Sequence, residues 1–181
     1  MSKADDARKH RLSRAEEICL RGQRQQDAGN LASGFRLLLS AAKMGDPVAQ
    51  NNLGYTYDVG LGIRPNRDAA MFWYMKAYRS KSGDGLAANN IGTIFRDEHN
   101  DPEAIRWFKR AVQYGNADAN LELAKIYLKN PKLRDKAVSA LNAILKATPP
   151  IGVGEDTQRE ARKLLRKIKM IQNVKTKPLG S

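Results

Sequence analysis

The side chains best suited to chemistry are few in this sequence and stand apart. Its two histidines, His10 and His99, are widely separated, and one polar run, Arg96-Asp97-Glu98-His99-Asn100-Asp101, superficially offers metal ligands. A zinc site needs three or four such ligands in tetrahedral array. This run, ending in Asn100-Asp101-Pro102, reads instead as a solvated loop that caps the following helix. Cys19, the sole cysteine, has no motif around it and reads as a buried apolar filler. Gly60-Leu61-Gly62 and Gly152-Val153-Gly154 lack the third glycine of a dinucleotide loop and the Gly-Lys-Ser/Thr ending of a phosphate loop. The expectation is a protein that is not an enzyme, with no catalytic residue, no metal and no cofactor.

What recurs is an amide pair. Asn51-Asn52 and Asn89-Asn90 lie 38 residues apart. An asparagine side chain donates and accepts at once, so a ladder of them can hold an extended peptide backbone without reading its sequence. The same residues near helix starts can instead satisfy exposed backbone groups. Both readings stand on sequence alone.

The elements around these asparagines repeat. Ala49-Gln-Asn-Asn-Leu53-Gly54-Tyr-Thr-Tyr57 aligns with Ala87-Ala-Asn-Asn-Ile91-Gly92-Thr-Ile-Phe95 and with Ala119-Asn-Leu-Glu-Leu123-Ala124-Lys-Ile-Tyr127. A second motif follows each one: Ala70-Met-Phe-Trp73-Tyr74, Ala104-Ile-Arg-Trp107-Phe108 and a weaker run from Ala137 to Ile144. Gly34 to Ala41 supplies an earlier copy, whose first helix holds Ala15, Ile18 and Gly22 in a loose alignment. Small residues at Gly54, Gly92 and Ala124 permit close helix crossing, and an aromatic one turn later fills the space beside it. Gly45-Asp46-Pro47, Gly83-Asp84 and Gly115-Asn116 punctuate the junctions.

The run Ala49, Leu53-Gly54, Tyr57, Gly60-Leu61-Gly62-Ile63, Ala70, Trp73-Tyr74 and Lys76-Ala77 resembles the Sel1-like repeat, a relative of the tetratricopeptide repeat. The resemblance covers roughly 14–148. It implies an all-α fold, a right-handed α–α superhelix (solenoid) of about four helix-turn-helix repeats, serving as an adaptor in protein complexes. The expected divisions are a basic tail 1–12, repeats 13–45, 46–83, 84–115 and 116–148, a capping helix 155–173 and a tail 174–181. In the capping helix Ala161, Leu164, Leu165, Ile168 and Ile171 form one apolar stripe among six Arg and Lys residues. Secreted relatives staple their repeats with paired cysteines, and a single cysteine departs from that.

In repeats of this type the first helices line the concave surface. That places Asn51, Asn52, Tyr55 and Asp58 there, then Asn89, Asn90, Thr93 and Arg96, then Leu121, Lys125, Leu128 and Lys129. The groove should turn from neutral or acidic at Asp58 to basic at Arg96, Lys125 and Lys129. With a formal net charge of +13, the expected partner is another protein or peptide with an acidic segment. Nucleic acid is the alternative, drawn to the basic surface, but Arg and Lys are scattered and no aromatic track interleaves them. No run of about 18 apolar residues suits a membrane span. The polar start Met1-Ser2-Lys3 offers no signal peptide, and the cysteine usage fits a cytoplasmic setting.

Overall fold

The computed structural model describes residues 12–80, 85–146 and 154–176, with side chains as far as Ile171. His10, the Gly83-Asp84 junction, Pro149-Pro150 and residues 177–181 lie outside the described residues. Among the described residues there are nine α-helices, one 3-10 turn and no strand. The fold is therefore all-α, as the repeats imply. In order they are α1 (Arg14–Asp27), α2 (Leu31–Lys43), α3 (Pro47–Val59), α4 (Arg67–Tyr78), α5 (Gly85–Asp97), α6 (Asp101–Gln113), α7 (Ala119–Leu128), α8 (Arg134–Lys146) and α9 (Glu155–Thr176). The 3-10 turn, Pro131–Leu133, leads from α7 into α8. Packing divides the chain into two units, Met1–Asn90 and Ile91–Ser181, with the division inside α5.

The helices begin where a side chain satisfies the first free N–H groups. Ser13 and Glu16 exchange hydrogen bonds in a capping box on α1. Asp46, followed by Pro47 in the first turn, accepts from the Ala49 N–H at 2.6 Å. Asn66 does the same for Ala69 at 2.9 Å, and Asn100 for Glu103 at 3.4 Å. Past the ends of α1, α2 and α6 the chain turns through Gly29, Gly45 and Gly115, all at positive φ. At the same place after α5 stands His99, at φ 58°. The polar run around it is thus a helix stop followed by a helix start, and His99 is exposed.

In the first unit, Leu38, Ala41, Ala42, Ala49, Leu53 and Trp73 pack around Cys19. Phe35 meets Tyr57 edge to face, with ring centroids 5.6 Å apart. The crossings are close. A Cβ on Gly54 would lie 2.5 Å from the Tyr74 ring, and in the second unit a Cβ on Gly92 would lie 2.8 Å from the Phe108 ring. The aromatic filling each gap is therefore Tyr74 or Phe108, one residue after the tryptophan. Trp73 turns away into the cluster with Leu38 and Ala41.

In the second unit α9 packs on α8, burying Ala161 and Ile168. The rest of its apolar stripe is only partly covered: Leu164 and Leu165 are half-buried and Ile171 is 40% exposed. The helix reaches Thr176, three residues past the expected end at 173. The sequence offers no helix breaker before Pro178, so nothing stops it earlier.

Candidate protein-interaction site

The first unit carries a cleft of mixed polar and apolar lining, of about 530 Å³, between α1 and α3. Leu20, Gln23, Arg24, Gln26 and Asp27 line it from α1, Asn52 and Tyr55 from α3, and Leu61 from the loop after α3. That loop is positioned by glycines: Gly60 and Gly62 both sit at φ 74°, and a Cβ on Gly62 would strike Leu31 at 2.4 Å. Gln26 Nε2 donates to the Thr56 hydroxyl at 3.0 Å, and that hydroxyl donates to the Asn52 carbonyl at 2.8 Å. The chain of bonds fixes α1 against α3 and holds Gln26 in one orientation. Beside it the Asn52 side-chain nitrogen, Nδ2, is buried without a hydrogen-bond partner among the described residues. A buried, unpaired donor costs about 1–3 kcal/mol, so turning the Asn52 amide toward an acceptor in the cleft would be favoured. Tyr55, 51% exposed, stands at the edge of the cleft.

Of the expected inner-face residues, Asn52 and Tyr55 lie together in this cleft. Asn51 and Asn90 meet each other instead: Asn90 Nδ2 donates to Asn51 Oδ1 at 3.1 Å. Asn51 is only 9% exposed, so this rung of the ladder ties α3 to α5. Asp58 faces Arg67 at 3.9 Å. Asn89 and Thr93 are partly buried on α5 and take part in interactions of their own.

In the second unit the three expected cations are all paired within the chain. Arg96 bonds Asp97 at 2.9 Å and also reaches Glu122, while Lys125 meets Glu122 at 2.8 Å. Lys129 contacts Asp101 at 2.7 Å. Burial alone would lower the Arg96 pKa, but hydrogen bonds to Asp97 and Glu122 outweigh it and the net shift is upward. Leu121, expected on the same face, is buried. These cations hold α5, α6 and α7 together as well as facing outward.

The α1 residues of the cleft escaped the sequence reading because the first repeat aligns loosely. Gly22 was the available signal. A Cβ there would lie 3.0 Å from Leu38, the same close approach that Gly54 makes. Counting from Gly22 as from Gly54 sets Leu20 against Asn52 and Gln23 against Tyr55. Among the chemically capable groups, the Cys19 thiol is buried and pushed up to about 12 by desolvation and by the Asp46 carboxylate beside it. Among the described residues no cluster of three His, Cys or carboxylate groups could hold a metal, and no helix is long and apolar enough to cross a membrane.

The family model for the Sel1 repeat matches residues 10–46, 47–82 and 86–116. A putative sel1-like repeat-containing protein of Acanthamoeba polyphaga mimivirus is 32% identical over 88 residues, covering 49% of this chain and 16% of that protein. The crystal structure of a Sel1 repeat protein from Oxalobacter formigenes superposes with a TM-score of 0.60 at 27% identity, over 71% of this chain and 55% of that one. The chain thus spans less than two thirds of either relative. A crystal structure of MamA, 22% identical, aligns over 85% of this chain and 95% of its own with a TM-score of 0.55, a likeness of fold.

Proposed function

Because the chain belongs to the Sel1 repeat family, whose fold generally serves protein–protein interaction, we propose that it is a non-catalytic adaptor holding a polypeptide against its first helices. The observation that carries the reading is the cleft between α1 and α3, where Asn52 Nδ2 is buried and unpaired beside Tyr55. An extended segment would offer Asn52 a backbone carbonyl, lay a side chain on Tyr55 and set an acidic group near Arg24. The mixed lining, with Leu20, Tyr55 and Leu61 beside Gln23, Arg24 and Asn52, suits a peptide's alternating side chains and backbone amides. In this proposal Asn51, Asp58, Asn89 and Asn90 extend the first-helix surface within the first unit, and Thr93, Arg96, Lys125 and Lys129 form that of the second unit. The pair α7 and α8 acts as the fourth repeat expected over 116–148, with fully buried Ala124 in the place of Gly54 and Gly92. The adaptor works in the cytoplasm, where a lone thiol stays reduced.

The test is affinity purification of wild type and of the Asn52→Leu/Tyr55→Ala variant, each with and without nuclease. A polypeptide retained by wild type after nuclease and lost from the variant is the expected result. A partner held equally by both proteins, or one that nuclease releases, would refute the site.

A further inference from the structure

The second unit carries another groove, away from the first-helix cleft. It lies where α9 crosses the hinge between α7 and α8, and it encloses about 270 Å³. Its floor is apolar: Leu128 from the end of α7, Pro131 in the 3-10 turn, and Leu164, Ile168 and Ile171 from α9. The turn is fixed by Asn130, which accepts from the Lys132 N–H at 3.0 Å, so the hinge side of the groove is preformed. Ile171 and the neighbouring Met170 are 40% and 69% exposed, leaving the α9 end of the floor open to water. Two cations flank it, Arg134 at the start of α8 and Lys167 on α9.

The charges say what would cover this floor. Arg96, Lys125 and Lys129 in the same unit each have a carboxylate partner within the chain. Arg134 and Lys167 have none among the described residues. From Ala161 to Ser181 the sequence carries seven Lys and Arg and no Asp or Glu, so the stretch around Lys167 has a net positive charge. We propose that this groove docks an acidic amphipathic segment of another protein, apolar side chains entering among Leu128, Leu164, Ile168 and Ile171 and carboxylates meeting Arg134 and Lys167. The apolar stripe of such a segment, spaced three or four residues apart, is the form a helix presents to a groove. A nucleic acid would leave the floor unfilled, since its phosphates need only the cations and no aromatic residue lines the groove for base stacking. The volume is below the roughly 300–1,000 Å³ of a small-molecule pocket. It suits inserted side chains. In this arrangement α9 covers the last helix pair with one face and recruits a partner along its edge.

The experiment is selection of a displayed random-peptide library on the full chain, followed by titration of the synthetic consensus peptide by fluorescence anisotropy. Enriched peptides should carry apolar residues three or four apart flanked by Asp or Glu. Their binding should weaken between about 50 and 300 mM salt. The Arg134→Glu/Lys167→Glu variant and, separately, Ile171→Asp should each weaken it by roughly tenfold or more. Arg106→Glu/Lys109→Glu should change it less than about twofold, and the Asn52→Leu/Tyr55→Ala variant likewise, which separates this groove from the first-helix cleft. Circular dichroism of each variant should match wild type, and Ile171→Asp, at an exposed position, tests the groove even if a charge-reversal variant unfolds. Enrichment of peptides without acidic residues, binding indifferent to the groove variants, or displacement by poly(U) at equal charge would overturn the proposal. A roughly tenfold gain on removing residues 172–181 would make the chain's own terminus the occupant and overturn an outside partner.

Discussion

At Gly54 the smallest possible addition to the chain meets an aromatic ring, and that contact sets the spacing of α3 and α4. Gly54→Ala places a methyl group 2.5 Å from Tyr74. It should cost about 1–3 kcal/mol in a denaturant melt, and Gly92→Ala should do the same against Phe108. If both melt with wild type, the crossings are looser than the geometry requires. His99 gives the opposite expectation. It occupies a left-handed position that glycine fills after α1, α2 and α6, so His99→Gly should stabilise the protein by about 0.5–1 kcal/mol. A destabilised variant would show that the imidazole makes a compensating contact. Cys19 links burial to pH. Its thiol is held at about 12 against an ordinary 9.0, so the folded protein keeps a proton that the unfolded chain releases. That contribution is complete below about pH 9 and is lost as pH rises toward 12. At pH 8 the native thiol should resist iodoacetamide and react after denaturation, and rapid native labelling would contradict its burial. The small residues and the buried cysteine were legible in the sequence because their types leave few alternatives. Tyr74 and Phe108 as the rings over the glycines were not, since adjacent aromatics on a helix give no hint of which one turns inward.

Among the elements, helix type and order could be read from small/large periodicity and from Asp46-Pro47, Asn66 and Asn100 at helix starts. The cleft could be read only in half. Asn52 and Tyr55 follow from the repeat register of α3, whereas Leu20 and Gln23 sit on α1, where that register depends on Gly22 alone. The fate of the basic residues was also hidden in part. Glu122 with Lys125 is an i,i+3 pair legible from spacing, but Glu122 and Asp101 reach Arg96 and Lys129 from other helices, and spacing within one helix does not show that. These pairs are partly exposed, so each should contribute no more than about 1 kcal/mol. The helix α9 should make a larger difference. Ending the chain at Lys146 removes Ala161 and Ile168 from their contacts and uncovers α8, so the shortened protein should aggregate in size-exclusion chromatography despite its net charge. A monomeric truncation of unchanged melting temperature would mean that α9 contributes no cover.

For the whole molecule, a net charge of +13 draws acidic partners of every kind, and charge alone does not select among them. Selection falls to surfaces with shape. Among the described residues, the cleft between α1 and α3 offers an unpaired amide nitrogen and an exposed tyrosine, and the groove at α9 offers an apolar floor with two cations that have no carboxylate partner. The sequence pointed to an adaptor through its repeats, and it could not place the cleft because its lining comes from two helices about 30 residues apart. The most direct test of the adaptor reading is photo-crosslinking in living cells from a benzoylphenylalanine placed at Tyr55, with the same group at Phe72 as the comparison. Phe72 is equally open, at 54% exposed, but lies on α4 beside Lys76. Position 55 should yield a discrete, nuclease-resistant polypeptide adduct that position 72 does not. Adducts from position 72 alone, or nuclease-sensitive adducts from position 55, would contradict the account.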